Sequence, residues 1–226
     1  MKRRFKPEGV FDKKIHNNIS PVVTISRDYG CPAKRLARIL TSALNRIEKN
    51  NYSKNHWQWI GKEILDESAK ELNLKSDMVQ DIVNKEEGGV VDDIVMSLAH
   101  KYYPGDQKVK KTIGEVIKSF AEKGHVIIVG RGGVSITRDL PNSLHIKIQA
   151  PLEWRINDVC KNHMISLTEA KKKIQTIDLQ RELIREFFEG RKFDNSAYDV
   201  ILNYMTLDEE DIISTIIRLM ESKDLI

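Results

Sequence analysis

Two hydrophobic periods share this 226-residue chain. Val22-Val23-Thr24-Ile25-Ser26 is a short β-branched run that suits a buried strand. Val126-Ile127-Ile128-Val129 is stronger, because four consecutive apolar β-formers predict burial on both faces, as in a parallel strand covered by helices. Leu144 to Ile148 and Asp199 to Asn203 read as two further strands, and Trp57 and Trp59 mark a short one. Between them the period lengthens to that of helices. Leu36, Ile39, Leu40, Ala43, Leu44 and Ile47 form one side of a helix starting near Lys34. Helical spacing returns over 61–122, with breaks at Gly88-Gly89 and Pro104-Gly105. It returns again from Pro151 to about Asn162, Leu167 to Phe188, and about Asp208 to Ser222. This alternation predicts an α/β fold with a parallel, doubly wound central sheet.

Composition narrows the class. Hydrophobic residues make up 40% and charged residues 31%, enough for a sizeable core under a charged surface. No apolar run approaches the roughly 18–20 residues of a membrane-spanning helix, so no membrane partner is expected. The net charge of +4 sits in the first twenty residues, where Lys2, Arg3, Arg4, Lys6, Lys13 and Lys14 face only Glu8 and Asp12. With no interleaved aromatics beyond Phe5, residues 1–20 read as a solvated basic tail rather than a nucleic-acid arm. Cys31 and Cys160 form no CxxC pair and read as free thiols of a cytoplasmic protein. The six histidines share no metal-ligand spacing with them, so no zinc site is expected. The sequence is silent on oligomeric state.

In an open parallel sheet, ligands sit beyond the carboxyl ends of the strands. Arg27 to Lys34, Gly130 to Gly133, and Asn203-Tyr204 fall at that edge. The first is a strand–loop–helix passage. A helix start offers free amides and a partial positive charge to an anion, and Lys34 or Arg35 adds cations. The strict phosphate-loop pattern GxxxxGK[ST] is absent, only Gly30 fits it, and Pro32 removes one donor. An ordinary strand-to-helix turn explains the loop about as well. Gly130-Arg131-Gly132-Gly133 lacks the order of a dinucleotide fingerprint. Asp178, Arg181 and Arg185 stand at i, i+3 and i+7, hence on one helix face, with Leu179, Leu183 and Phe187 expected to line the opposite side. A solvated charged face is the competing explanation. Cys31 near a helix start invites a lowered pKa, but a small residue that simply fits the loop is the better explanation.

Thr24-Ile25-Ser26-Arg27-Asp28-Tyr29-Gly30 resembles the I-S-R-[ED]-Y-G opening of the cytidylate kinase-like family, a branch of the nucleoside monophosphate kinases. Val126 to Arg131 is similar to its V-I-V-G-R segment. Asp139 to Asn142, Ala150 to Arg155 and Tyr198 to Asn203 follow in the family's order, so the resemblance runs from about residue 22 to 222. It implies a P-loop NTPase-type three-layer α/β/α domain over 21–226, with a helical acceptor-binding region over 57–123 and a helical lid over 151–191. It also implies phosphoryl transfer from ATP, with Mg2+, to a nucleoside monophosphate or related small acceptor. On that pattern Arg27, Asp28, Tyr29, Gly30, Cys31, Ala33, Lys34 and Arg35 hold the donor phosphates. Arg131 faces the acceptor phosphate, and Arg155, Arg181 and Arg185 match lid arginines. Arginine suits these roles because it forks onto phosphate oxygens and stays charged.

The chain departs from that pattern at chemically important places. Related kinases carry a lysine where Ala33 stands, with Lys34 turned about 100° further around the helix. The magnesium-holding Ser/Thr is missing, no aspartate ends the Val126–Val129 strand, and Asp28 is the one nearby carboxylate. A non-catalytic nucleotide sensor on the same fold is therefore the alternative expectation.

Overall fold

The computed structural model describes residues 20–52, 55–61 and 107–226. The basic tail and most of the predicted 61–122 helical region, with its two glycine breaks, lie outside them.

Five strands make the sheet: β1 (Val22–Arg27), β2 (Gln58–Ile60), β3 (Val126–Val129), β4 (Ser143–Gln149) and β5 (Val200–Asn203). All pairs are parallel, in the order β2-β3-β1-β4-β5. The helices are α1 (Ala33–Asn50), α2 (Gln107–Lys123), α3 (Gly133–Thr137), α4 (Leu152–His163), α5 (Leu167–Glu189) and α6 (Glu209–Ser222). The strand order reverses around β1, which places a crevice at the carboxyl end of that strand.

The pleat explains why the apolar runs are continuous rather than alternating. Val23, Ile25, Ile127 and Val129 enter a core with Leu36, Ala37, Leu40 and Leu44 of α1 and Ile212, Ile216 and Met220 of α6. Their neighbours Val22, Val126 and Ile128 enter a second core with Ile113, Val116 and Ile117 of α2 and Ile184 of α5. Successive strand residues thus face opposite covered layers. This is the expected three-layer α/β/α arrangement. Truncating a fully buried side chain such as Leu40 to alanine costs about 2–5 kcal/mol.

β2 has only three residues, and a side chain supplements its ladder. The amide of Asn45 on α1 brackets fully buried Trp57, donating Nδ2–H to the Trp57 carbonyl (2.9 Å) and accepting from its backbone N–H (2.7 Å).

A third cluster joins α4 to α5 through Ile156, Val159, Ala170, Ile174 and Ile177, and Tyr29 of the β1–α1 turn is packed into it. The expected apolar side of α5 is corrected here. Leu179 and Leu183 are exposed, whereas Ala170, Ile174, Ile177 and Ile184 are buried. The helix rests across the sheet edge on that isoleucine stripe, which leaves its leucines outward.

Candidate functional site

The β1–α1 turn is built to bring backbone close to neighbouring side chains. Gly30 has φ +95, and a Cβ there would stand 3.4 Å from Arg155 Cβ and Val159 Cγ2. A side chain there would be strained by the backbone, with its Cβ in contact with α4. Cys31 N–H donates to the Asp28 carbonyl (3.2 Å), and Ala33 N–H to the Cys31 carbonyl (2.9 Å). At the start of α1 the amides of Lys34 and Arg35 have no intrahelical acceptor, as for any first helical turn.

The turn is held from above by α4 and α5. Asp178 Oδ1 accepts from the Tyr29 backbone amide at 2.7 Å. Its Oδ2 accepts from Arg155 Nη1 at 2.6 Å, and the same Nη1 donates to the Tyr29 carbonyl at 3.0 Å. Arg155 Nε donates to the Ala150 carbonyl at 2.9 Å. Arg181 Nη1 donates to the Arg27 carbonyl at 3.2 Å, and its guanidinium lies 5.6 Å from the Tyr29 ring centroid. Both hydrogen-bonding groups of the Tyr29 peptide are thus tied to the α4–α5 pair.

A cavity of about 310 Å³ opens beside this turn, lined by its residues Tyr29 to Lys34 and by Arg27, Arg131 and Arg181. Its far wall is α4, through Asp158, Val159, Asn162 and His163. Arg131 reaches the cavity through unusual backbone geometry. Gly130, Arg131 and Gly132 all take left-handed φ values of +71, +60 and +70. For arginine that conformation costs on the order of 1–2 kcal/mol, and it turns a buried cation toward the sheet edge.

A second cavity, of about 380 Å³, lies beneath α5 between Asp28, Lys147, Asp178, Leu179, Arg185 and Phe193. Asp28 belongs to this side, paired with Lys147 Nζ at 3.4 Å. A narrow gap of about 20 Å³, lined by Gly130, Arg131, Gly132, Ile184 and Arg185 among others, lies between β1, β3 and α5.

The expected residues therefore separate into groups. Arg27, Tyr29, Gly30, Cys31, Ala33, Lys34, Arg131 and Arg181 meet at one cavity. Arg185 is instead at the second cavity and the gap, stacked 5.0 Å from the Phe193 ring. Arg155 lines neither cavity nor the gap, because its donors face the carbonyls of Tyr29 and Ala150 and the Asp178 carboxylate. Arg35 is exposed and pairs with Glu209 at 2.9 Å, away from the cavity. Asn203-Tyr204 does not reach it either, since the Tyr204 hydroxyl donates to Glu209 (3.1 Å).

Burial pushes the Cys31 thiol up to about 12, with the Asp28 carboxylate adding in the same direction. The helix-start lowering is thus overturned, and Cys31 serves as a small neutral residue in the loop. The α4 wall is what sequence reasoning missed. Asp158, Asn162 and His163 stand at i, i+4 and i+5, beside buried Ile156 and Val159, a spacing any solvated helix face shares. Only the docking of α4 against the turn makes them a wall.

Among the described residues no helix is long and apolar enough to cross a membrane. Nor do three His, Cys, Asp or Glu side chains cluster there as a metal-ligand set.

Solved structures share this architecture. An uncharacterized protein from Eubacterium ventriosum superposes with a TM-score of 0.63 at 20% identity, over 90% of this chain and 99% of that one. Shikimate kinase from Bacteroides thetaiotaomicron gives 0.50 at 10% identity, over 89% and 98%. Shikimate kinase from Acinetobacter baumannii, solved with shikimate, gives 0.50 at 9% identity, over 92% and 97%. At such identities the likeness is one of fold. No curated protein matches the chain. The model of the cytidylate kinase-like family spans residues 22–206, from the first strand through the last, and the chain belongs to that family.

Proposed function

We propose that this protein is a kinase-type phosphotransferase that moves a phosphoryl group from ATP to a nucleoside monophosphate or related small acceptor. The observation that carries this reading is the meeting of the β1–α1 turn with Arg27, Lys34, Arg131 and Arg181 in one cavity at the reversal point of the sheet. Phosphoryl transfer asks little covalent chemistry of a protein and depends on positioning and charge neutralisation. The turn amides and Lys34 hold the donor phosphates, Arg131 holds the acceptor phosphate, and Arg181 closes over the transferring group from α5. Arg155 acts through the scaffold, fixing the Tyr29 peptide. Helices α4 and α5, within 151–191, serve as the lid, and closure excludes the water that would hydrolyse the donor.

Magnesium fits this site mainly through the substrate. Mg2+ keeps several waters and takes one or two carboxylates plus phosphate oxygens. Asp158 is the carboxylate on the cavity wall and Asp28 lies on the other side of the turn. Bound there, the ion would screen the β- and γ-phosphate charges.

A second reading is a nucleotide sensor that binds without transfer. It is favoured by the Asp178 carboxylate, which already occupies the Tyr29 amide and the Arg155 guanidinium. Thermal shift with ATP and Mg2+, combined with mass detection of products from a panel of nucleoside monophosphates, separates the two. Stabilisation with a product 80 Da heavier than the acceptor (the mass of one added phosphoryl group) supports the kinase. Stabilisation without product supports the sensor, and no stabilisation by any nucleotide rejects both.

A further inference from the structure

The two cavities and the gap share Arg27 and Arg181. Arg181 comes from the lid helix, but Arg27 is the last residue of β1, the central strand. Its carbonyl is clamped by Arg181, and Gly130 N–H, from the end of the next strand, donates to Ile25 O at 3.0 Å. The backbone around Arg27 is thus fixed on both sides.

Its side chain crosses the end of β3. A Cβ at Gly130 would stand 2.0 Å from Arg27 Nη1 and 3.2 Å from its Cζ. Position 130 is therefore not only left-handed in φ; it is also the floor on which the guanidinium lies. An alanine there would push the Arg27 head aside, a shift that the end of a flexible side chain makes at little cost but that moves the guanidinium off this seat. The neighbouring cations differ in kind. Lys34 is exposed on the outer rim, and Arg131 belongs to the β3 end. Arg27 and Arg181 are both half-buried cations where the turn cavity, the gap and the cleft beneath α5 meet, and of the two Arg27 is the one carried by the central strand.

We propose that Arg27 is the catalytic cation that bears on the phosphoryl group in flight, and that position 130 is glycine in order to seat it. This rests on the phosphotransferase reading above and names the residue at its centre. In the step, an acceptor phosphate oxygen forms a bond to the γ-phosphorus while the bond from that phosphorus to the β–γ bridging oxygen breaks. The bonding pair departs with ADP. A monoester acceptor is largely dianionic near neutral pH, so no proton need leave it. Arg27 neither gives nor takes a proton. It forks onto the equatorial oxygens, where charge is shared between donor and acceptor, from a position that needs no rearrangement of its strand.

The test uses the full chain and its Arg27→Met, Arg27→Lys, Gly130→Ala and Arg27→Met/Gly130→Ala variants. ATP binding is measured by calorimetry, and transfer by product mass with the best acceptor of the panel. Arg27→Met is expected to lower kcat about 100-fold or more, the scale of losing one preorganised transition-state contact, while KM for ATP moves less than about tenfold. Arg27→Lys recovers part of the loss. Gly130→Ala falls in the same direction, and the double variant is no worse than Arg27→Met, because both act through one group. Wild-type transfer with Arg27→Met within threefold of it overturns the assignment and leaves the phosphotransferase reading standing. Gly130→Ala and Arg27→Met losses that multiply in the double variant overturn the seating role. Wild type that binds ATP without transfer, or does not bind it, removes the catalytic reading and this assignment with it.

Discussion

The carboxylate of Asp178 accepts a hydrogen bond from the backbone amide of Tyr29 at 2.7 Å, joining the lid helix to the turn after the first strand. The same carboxylate receives Arg155 at 2.6 Å, so one side chain positions both the turn and the guanidinium that supports it. An anion thus already sits on one amide of the proposed phosphate-binding turn.

Removing the Asp178 carboxylate should loosen this arrangement. Asp178→Ala leaves Arg155, with 9% side-chain exposure, without its nearest counter-charge, and deprives the Tyr29 amide of its acceptor. A loss of about 2–3 kcal/mol in unfolding free energy is expected. Asp178→Asn, which keeps an acceptor but not the charge, should lose less. Chemical denaturation checks both, and equal losses would contradict the hydrogen-bond part of the account, since the retained acceptor would then contribute nothing.

Much of the frame could be read in advance. The β-branched runs of β1 and β3 announce doubly covered strands, because burial on both faces leaves no polar position to interrupt them. β5 was legible from its apolar Val200-Ile201-Leu202 run, although as an edge strand it buries only Leu202, and β2 only faintly, since it has three residues and Asn45 bonds the backbone of Trp57 just before it. The site was less legible. Arg27, Lys34 and Arg131 were identifiable from type and edge position and Arg181 from its helix face and the family resemblance, whereas Asp158 and His163 become cavity wall only once α4 docks. Arg155 and Arg35 carry the same charge as the cavity arginines, and only tertiary contacts reveal that one holds backbone and the other a surface glutamate. On α5, leucine and isoleucine look alike as apolar positions, and the choice of buried stripe is made by the neighbours it meets.

Buried His145 ties stability to pH. Ser143 Oγ donates to the Leu140 carbonyl (2.6 Å) and so accepts from His145 Nε2 (3.0 Å), which leaves Nδ1 to accept from Thr24 Oγ1 (2.8 Å). Burial lowers this imidazole to about 4 from 6.5, against a raising contribution from Asp199. Above pH 6.5 both folded and unfolded chains hold it neutral. As pH falls from 6.5 towards 4, the unfolded chain takes up a proton that the folded one refuses, so stability declines across that window by roughly 3 kcal/mol. Burial lowers His125 and His163 too, which adds to the decline with the same sign. Denaturation midpoints between pH 7.5 and pH 4.5 should show most of it, and His145→Gln should flatten the slope. A flat wild-type profile would contradict the assignment.

The two cysteines should differ in reactivity. With its thiol pushed up to about 12 by burial, Cys31 holds only about one thiolate in 10⁴ at pH 8. Cys160 is half-buried. Iodoacetamide at pH 8 should therefore label Cys160 and spare Cys31 until denaturant is added, as peptide mass mapping will report. Rapid labelling of Cys31 in the folded chain would mean that the turn is more open than described.

Arg131→Ala and Arg185→Ala test the charges flanking Arg27. Each is expected to reduce transfer at least about tenfold, the loss for one charge-assisted contact. The routes differ: Arg131 lines the turn cavity, whereas Arg185 reaches only the gap and the cleft under α5. Arg131→Ala should therefore weaken acceptor binding and transfer together, and Arg185→Ala mainly transfer. Steady-state kinetics with calorimetry distinguishes the patterns, and unchanged turnover in both variants would reject these roles.

Whether the β1–α1 turn and its cations bind nucleotide phosphates is decided most directly by titrating the full chain with ATP and Mg2+ in a calorimeter, beside an Arg181→Ala variant. The account predicts one site per chain, with a dissociation constant of about 1 mM or tighter, weakened at least about tenfold when Arg181 is removed. Absence of binding to the wild-type chain, or binding that Arg181→Ala leaves unchanged, would contradict it.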